Sequence, residues 1–232
     1  ASDFGLSLGQ VACDEKSNEI TAIPELLRFV DIHGAIITID AMGAQTAIAE
    51  QIIDRQADFV LALKGNQETL HQAVIDHIDQ QCDTEFANAK ARWHVTEESG
   101  HGRHEKRIYV HMPVPDTLPG RERWKGLKSL GLVVSVCQRD GKETVERRHY
   151  ISSLPVGVKQ FARAVRSHWG IENSCHWSLD VTYREDESRI REPHLRENFA
   201  WLNRFTLSLL KQHPGKDSIV MKRRACGWSE KF

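Results

Sequence analysis

The sequence predicts an α/β fold: a partly parallel sheet with covering helices, interrupted by a β-rich insertion. Three patterns carry that expectation. Between residues 35 and 81, short apolar runs alternate with amphipathic stretches in the order strand–helix–strand–helix, the signature of parallel strands joined by helices. From residue 88 to 154 the pattern switches to paired strands around glycine-bearing turns. From Val158 onward helical spacing returns, broken only around Glu185 to Pro193. The chain therefore divides into a first core segment (1–87), a β-rich insertion (88–154) and a last core segment (155–232).

Taken in order, Phe4 to Cys13 alternates well enough for a strand. Ile20, Ile23, Leu26, Leu27 and Val30 fall at helical spacing, with Ser17 or Asn18 as a cap and Pro24 in the first turn. Ala35 to Ile39 is wholly apolar, as expected of a strand covered on both faces, and it ends in Asp40. Ala44 to Arg55 reads as a helix, Asp58 to Leu63 as a second buried strand, and Glu68 to Gln81 as another helix after the loop Lys64-Gly65-Asn66-Gln67. In the insertion, Arg92 to Thr96 and Lys106 to His111 flank one turn. Leu130 to Gln138 and Glu143 to Ile151 flank another, at Arg139-Asp140-Gly141-Lys142.

Composition narrows the function classes. At 232 residues the chain can bury a sizeable core, and 40% hydrophobic with 27% charged residues is ordinary for a globular protein. No apolar run approaches the ~20 residues that span a bilayer, and no basic-then-apolar leader pattern opens the chain. Cys13, Cys82, Cys137, Cys175 and Cys226 are dispersed and form no C-x-x-C pair. That argues against a disulfide framework or zinc ribbon and for a reducing cytoplasm, with the thiols as small buried or neutral side chains. The net charge of −1 hides a split: residues 1–85 hold 4 Lys+Arg against 15 Asp+Glu, and residues 86–232 hold 27 against 17. The basic remainder suits an anionic partner, nucleic acid first, although charged faces are commonly only solvated.

Two places carry candidate chemistry. Asp40 stands at the carboxyl end of a strand in an α/β layer, where sites gather; it can ligate a hard cation such as Mg²⁺ or cap the following helix. The run from Arg166 to Asp180 places His168, Glu172 and His176 at i, i+4, i+8 along one helix face beside Trp169 and Trp177. A carboxylate among such groups fits a metal ligand or an acid–base group, or else a polar helix whose Trp residues dock on the sheet. Zinc is a poor fit, because two imidazoles eight residues apart lie ~12 Å from each other along a helix.

The strings KSNEITAIPELL, ITIDAMGAQ, FVLALKGNQ, GHGRHEKR, YISSL and RSHWGIEN-x-x-HW-x-LDV-x-YRED-x-S-R-x-R together resemble the ISAs-type insertion-sequence DDE transposases of bacteria. That group is related to the class with a Tyr-Arg-Glu-Lys signature, and the likeness runs from Phe4 to about Leu210. The resemblance implies an RNase H-like mixed sheet flanked by helices, with a β-rich insertion before the catalytic helix. It implies metal-dependent DNA strand cleavage and strand transfer, with two Mg²⁺ ions (Mn²⁺ substituting) held by a DDE triad. Asp40 matches the second Asp and Glu172 the Glu. The signature's Tyr, Arg and Lys correspond to Val165, His168 and Leu179, which leaves only His168 for phosphate contact. The first Asp is expected upstream of Ala1, so the chain is expected to be a C-terminal fragment, itself inactive. Asp3 and Asp14 lie in the wrong context to replace it, and Asp180 is at best an outer-shell candidate.

The expected partner is DNA, both element ends and target, with no membrane and with room for a homo-oligomer on DNA. Lys64, Asn66 and Gln67, on a strand end beside that of Asp40, are candidates to touch DNA near the scissile phosphate. Arg103, Lys106 and Arg107 in the insertion, and Arg184, Arg189 and Arg191 after the catalytic helix, are candidates for phosphate contacts or solvated charges. The competing function is a non-catalytic DNA-binding remnant that keeps the fold but not the triad.

Overall fold

A computed structural model describes residues 5–11, 19–84, 86, 90–100 and 102–228, without the side chains of Glu172 and Asn173. Asp3, Cys13, Asp14, Ser17 and Asn18 lie outside the described residues. The elements are α1 (Glu19–Phe29), β1 (Ile36–Ile39), α2 (Thr46–Asp54), β2 (Asp58–Leu63), α3 (Glu68–Asp83), β3 (Arg92–Gly100), β4 (Arg103–Pro113), β5 (Ser129–Arg139), β6 (Lys142–Ser152), α4 (Val158–Ile171), α5 (Pro193–Gln212) and α6 (Ile219–Trp228). Two compact units result, residues 15–165 and residues 1–14 with 166–232.

The first unit is an α/β structure on one mixed sheet of six strands, ordered β1-β2-β6-β5-β4-β3. β1 and β2 are parallel and every other neighbouring pair is antiparallel. The strands of residues 88–154 thus continue the sheet of β1 and β2, joined where Leu61 meets Ile151 and Leu63 meets His149. The period of two sorts the faces. Phe59, Leu61, Leu63, Ile151, Leu130 and Leu132 point to one side and pack with Ile48 and Ile52 of α2 and Leu70, Val74 and Ile78 of α3. Those helical positions recur every four residues, so each helix presents one apolar stripe. Full burial of each such side chain contributes about 1.5–3 kcal/mol.

The other face is covered by α4 through Phe161, which is fully buried. Its ring stacks on His111 at 4.8 Å and meets Tyr150 edge-on at 5.6 Å. Gly131, between those two residues in the sheet, leaves the space the ring occupies, since a Cβ there would collide with it. Gly157 N–H, just before α4, donates to Nδ1 of His111 at 3.0 Å. The ring proton therefore sits on Nε2, which donates to Ser129 Oγ at 2.8 Å, and that hydroxyl donates onward to the Leu154 carbonyl at 2.7 Å. Burial pushes the His111 pKa down to about 4, so the ring is a neutral structural link between sheet and helix.

Three sequence expectations change here. Gly5 to Val11 form no strand: Ser7 N–H donates to Ser208 Oγ and the Gln10 amide to the Glu197 carbonyl, so this segment satisfies its polar groups on α5. β1 is an edge strand with half-buried residues rather than one covered on both sides. Pro24 is the sixth residue of α1, past the first turn, where its missing N–H forfeits a helical bond. Of the cysteines described, Cys82 and Cys226 are exposed and Cys137 and Cys175 half-buried.

In the second unit the α-helical path gives way to π-helical turns at Glu172–His176 and Ser178–Thr182. α5 starts at Pro193, with the Glu192 carboxylate accepting from the N–H groups of His194 and Leu195. It ends on the buried Lys222 of α6, whose Nζ donates to the carbonyls of Leu210 (3.1 Å) and His213 (2.8 Å), satisfying groups that the helix end leaves open. No helix among the described residues is long and apolar enough to cross a membrane.

Candidate catalytic site

Asp40 follows the last residue of β1, and its side chain is exposed. One carboxylate oxygen accepts the Gly43 N–H at 3.3 Å, closing a tight turn directly after the strand. Gly43 is required there, because a Cβ would strike Ile39 and come within 2.8 Å of Ile23 Cδ1. The neighbouring strand end locks the same turn: the side-chain amide of Asn66 donates to the Ala41 carbonyl and that of Gln67 to the Ala44 carbonyl, the latter at 3.0 Å. Parallel pairing of β1 and β2 brings these two loops side by side. Asn66 and Gln67 therefore hold the backbone that presents Asp40, and Lys64 stands exposed beside them. A carboxylate so presented is a hard oxygen donor and suits Mg²⁺ or Mn²⁺.

The backbone of Glu172 opens the first π-helical turn. Bonding from i to i+5 widens the helix, so His168 and His176 do not keep the eight-residue spacing of an α-helix, and such turns recur at functional sites. His168 is half-buried, its ring edge-on to Trp169 with centroids 6.1 Å apart, and Trp177 is exposed. Leu179, at the position of the signature's Lys, is buried. No group of three or more His, Cys, Asp or Glu is arranged to hold a metal among the described residues. Asp40 and Glu172 belong to different compact units.

The basic candidates divide. Arg107 is buried and pairs with Glu105 at 2.5 Å and Glu98 at 3.2 Å. Lys106, on the opposite face, is exposed and 3.3 Å from Glu97. Arg103 pairs with Glu105 and is half-exposed. Arg184 adopts a left-handed conformation (φ 54°) that ends the helical run, and its exposed side chain lies 3.7 Å from Glu187. Arg189 and Arg191 are exposed. The basic end at Lys222 and Arg223 is used internally, Arg223 donating to the Thr182 carbonyl and lying 4.6 Å over the Tyr183 ring. Arg139 and Lys142, two further exposed cations, flank the Asp140-Gly141 turn between β5 and β6.

A family model described as "Transposase DDE domain" matches residues 2–210. The chain belongs to this transposase DDE domain family. Its relatives include "Putative transposase YncI" of Escherichia coli O157:H7, 43% identical over 228 residues, covering 97% of this chain and 58% of that protein. Another is "H repeat-associated putative transposase YhhI" of Escherichia coli (strain K12), 40% identical over 210 residues, covering 88% and 55%. The chain thus spans somewhat over half the length of these relatives. DDE transposases are nucleic-acid-processing proteins that generally use divalent metal, and the mixed sheet flanked by helices is the RNase H-like arrangement of the family.

Proposed function

We propose that this chain is the catalytic portion of an insertion-sequence DDE transposase that cleaves DNA strands and joins them to a target. The observation that carries the reading is Asp40: an exposed carboxylate at the carboxyl end of a strand, on a turn braced by two side-chain amides, in a chain of the DDE family. Asp40 and Glu172 are the proposed ligands of divalent metal, Mg²⁺ with Mn²⁺ as substitute, in a site of two ions. Bound there, metal would polarise the scissile phosphate and the attacking and leaving oxygens.

The chain's own residues then have separate tasks. Asn66 and Gln67 fix the Asp40 turn, and Lys64 beside it faces a DNA phosphate. His168, Arg184, Arg189 and Arg191 contribute phosphate contacts around the Glu172 segment, and Arg103 and Lys106 do so from the hairpins. Arg107, sequestered by Glu105 and Glu98, holds its hairpin in shape. Water attacks phosphorus and expels the 3′-oxygen at the element end. That 3′-hydroxyl then attacks a target phosphorus, with a target 3′-oxygen leaving. No covalent enzyme intermediate is formed. The protein would work on DNA in the bacterial cytoplasm.

The test is a strand-transfer assay on the full-length protein with the ends of its own element. Asp40→Asn and Glu172→Gln should each reduce strand cleavage and transfer by about 10²–10³-fold or more, while DNA binding persists. Undiminished cleavage by Asp40→Asn would overturn the assignment.

A further inference from the structure

The hairpins β3–β4 and β5–β6 extend past the helices. The last six residues of β5 and the first seven of β6 are half-buried or exposed, whereas the opposite ends are buried. At the tips, register places Gly100 opposite Arg103, Arg103 opposite Arg139, and Arg139 opposite Lys142. Three cations thus stand in one cross-strand rank on a single face, where directly opposed like charges are destabilising. Arg103 is partly offset by Glu105, which Arg107 shares, and Arg139 lies 3.5 Å from the exposed Asp140. The acid of the next rank, Glu143, is engaged on the other face by Gln138.

These residues line an open groove of about 630 Å³ between the two tips, together with the glycines 100, 102 and 141 and the carboxylates Asp140 and Glu143. At all three glycines an added Cβ would meet open space. Gly102 and Gly141 have positive φ and are needed by their turns; Gly100 has neither positive φ nor a close neighbour, so neither backbone nor packing explains it. It leaves the fourth place of the rank empty, beside three cations.

The groove also has a direction. Ala62 pairs with Tyr150, one residue beyond the Ile39–Leu61 pair that precedes Asp40. Lys142 lies eight residues further along β6, toward the same end of the sheet. At ~3.4 Å per residue the rank stands about 27 Å beyond the level of Asp40, close to eight base steps of duplex at ~3.4 Å each.

We propose that the rank Arg103–Arg139–Lys142 grips the sugar–phosphate backbone of duplex DNA about eight base pairs from the strand cut at Asp40. The proposal rests on the reading of the chain as a DNA strand transferase, and names a contact site that Lys106 and Arg107 do not belong to. The groove is sequence-blind: it positions the duplex and leaves base reading to other parts.

Titration of the chain against a mixed-sequence duplex of about 30 base pairs at several salt concentrations tests it. Arg139→Ala/Lys142→Ala should weaken binding at least about tenfold at low salt and flatten the log–log salt slope by about two. Arg139→Lys/Lys142→Arg should restore both. Gly100→Phe should weaken binding by filling the groove, with all charges kept. On the full-length protein bound to the end of its own element, hydroxyl-radical footprinting should lose protection about eight base pairs from the cut in the Ala variant. Wild-type protein that fails to bind duplex would overturn the transposase reading itself. Wild-type binding with affinity and slope unchanged in the Ala variant, or unchanged affinity in Gly100→Phe, would overturn the groove alone.

Discussion

The two ends of β4, β5 and β6 are built by different rules. Near Pro113, Ser129 and Ser152 the strands are buried between α2 and α3 on one face and α4 on the other, and polar side chains there are hydrogen-bonded into fixed networks such as His111–Ser129–Leu154. Toward Arg103, Arg139 and Lys142 the same strands run into solvent. They keep their ladder through backbone bonding and ion pairs, and leave Val145 uncovered. At 11 residues each, these strands are about twice the usual length. Packing accounts for only the covered half; the outer half reaches, and cations concentrate at its tip.

That contrast can be broken most strongly by acid. His111 and His149 both lie in the covered half and both have pKa values lowered to about 4, chiefly by burial. His149 is further held down by its neighbours His71, 3.3 Å away, and Arg147, with Asp79 opposing. Unfolded histidine titrates near 6.5, so the unfolded chain binds more protons between about pH 6.5 and 4. Stability present above pH 6.5 is therefore lost as pH falls toward 4, by roughly 3 kcal/mol for each ring. Urea unfolding at pH 7.5, 5.5 and 4.5 should show this decline, and His111→Gln should remove its share. A profile flat across that window would mean the covered half tolerates charged imidazole.

Arg107 marks the boundary between the two regimes. Its side chain and that of Glu105 are 8% and 10% exposed, so removing Arg107 leaves the buried Glu105 carboxylate with only the half-exposed Arg103 of its two cations. Arg107→Ala should cost about 3 kcal/mol in denaturant unfolding, against within ~0.5 kcal/mol for the exposed Lys106→Ala. Equal costs would show that the outer half begins further in.

A smaller effect sharpens the role of the Asp40 end. Asn66→Ala removes an amide that holds the Ala41 carbonyl and leaves Asp40 itself in place. Metal affinity should fall by about 10–100-fold, the usual effect of losing a group that orients a ligand, with little change in duplex binding measured without metal. Reduced duplex binding and unchanged metal affinity would instead make Asn66 a DNA contact.

The sequence by itself determined the local elements. β2 runs from Asp58 to Leu63 as its apolar run implied, both hairpins turn where glycine allowed, and Asp40 closes a strand. These features follow from side-chain period and backbone preference, which act over a few residues. Burial of Arg107 was half legible, since it shares its strand face with Tyr109 and His111, but a one-residue change of register would have turned it to the opposite side. The single six-stranded sheet, the amides of Asn66 and Gln67 on the Asp40 turn, the π-helical path from Glu172 and the cationic rank were decided by the tertiary structure alone. Each depends on which distant strands pair and in what register, and that choice is made by burying the largest apolar area at once across the whole unit, which no local window of sequence contains.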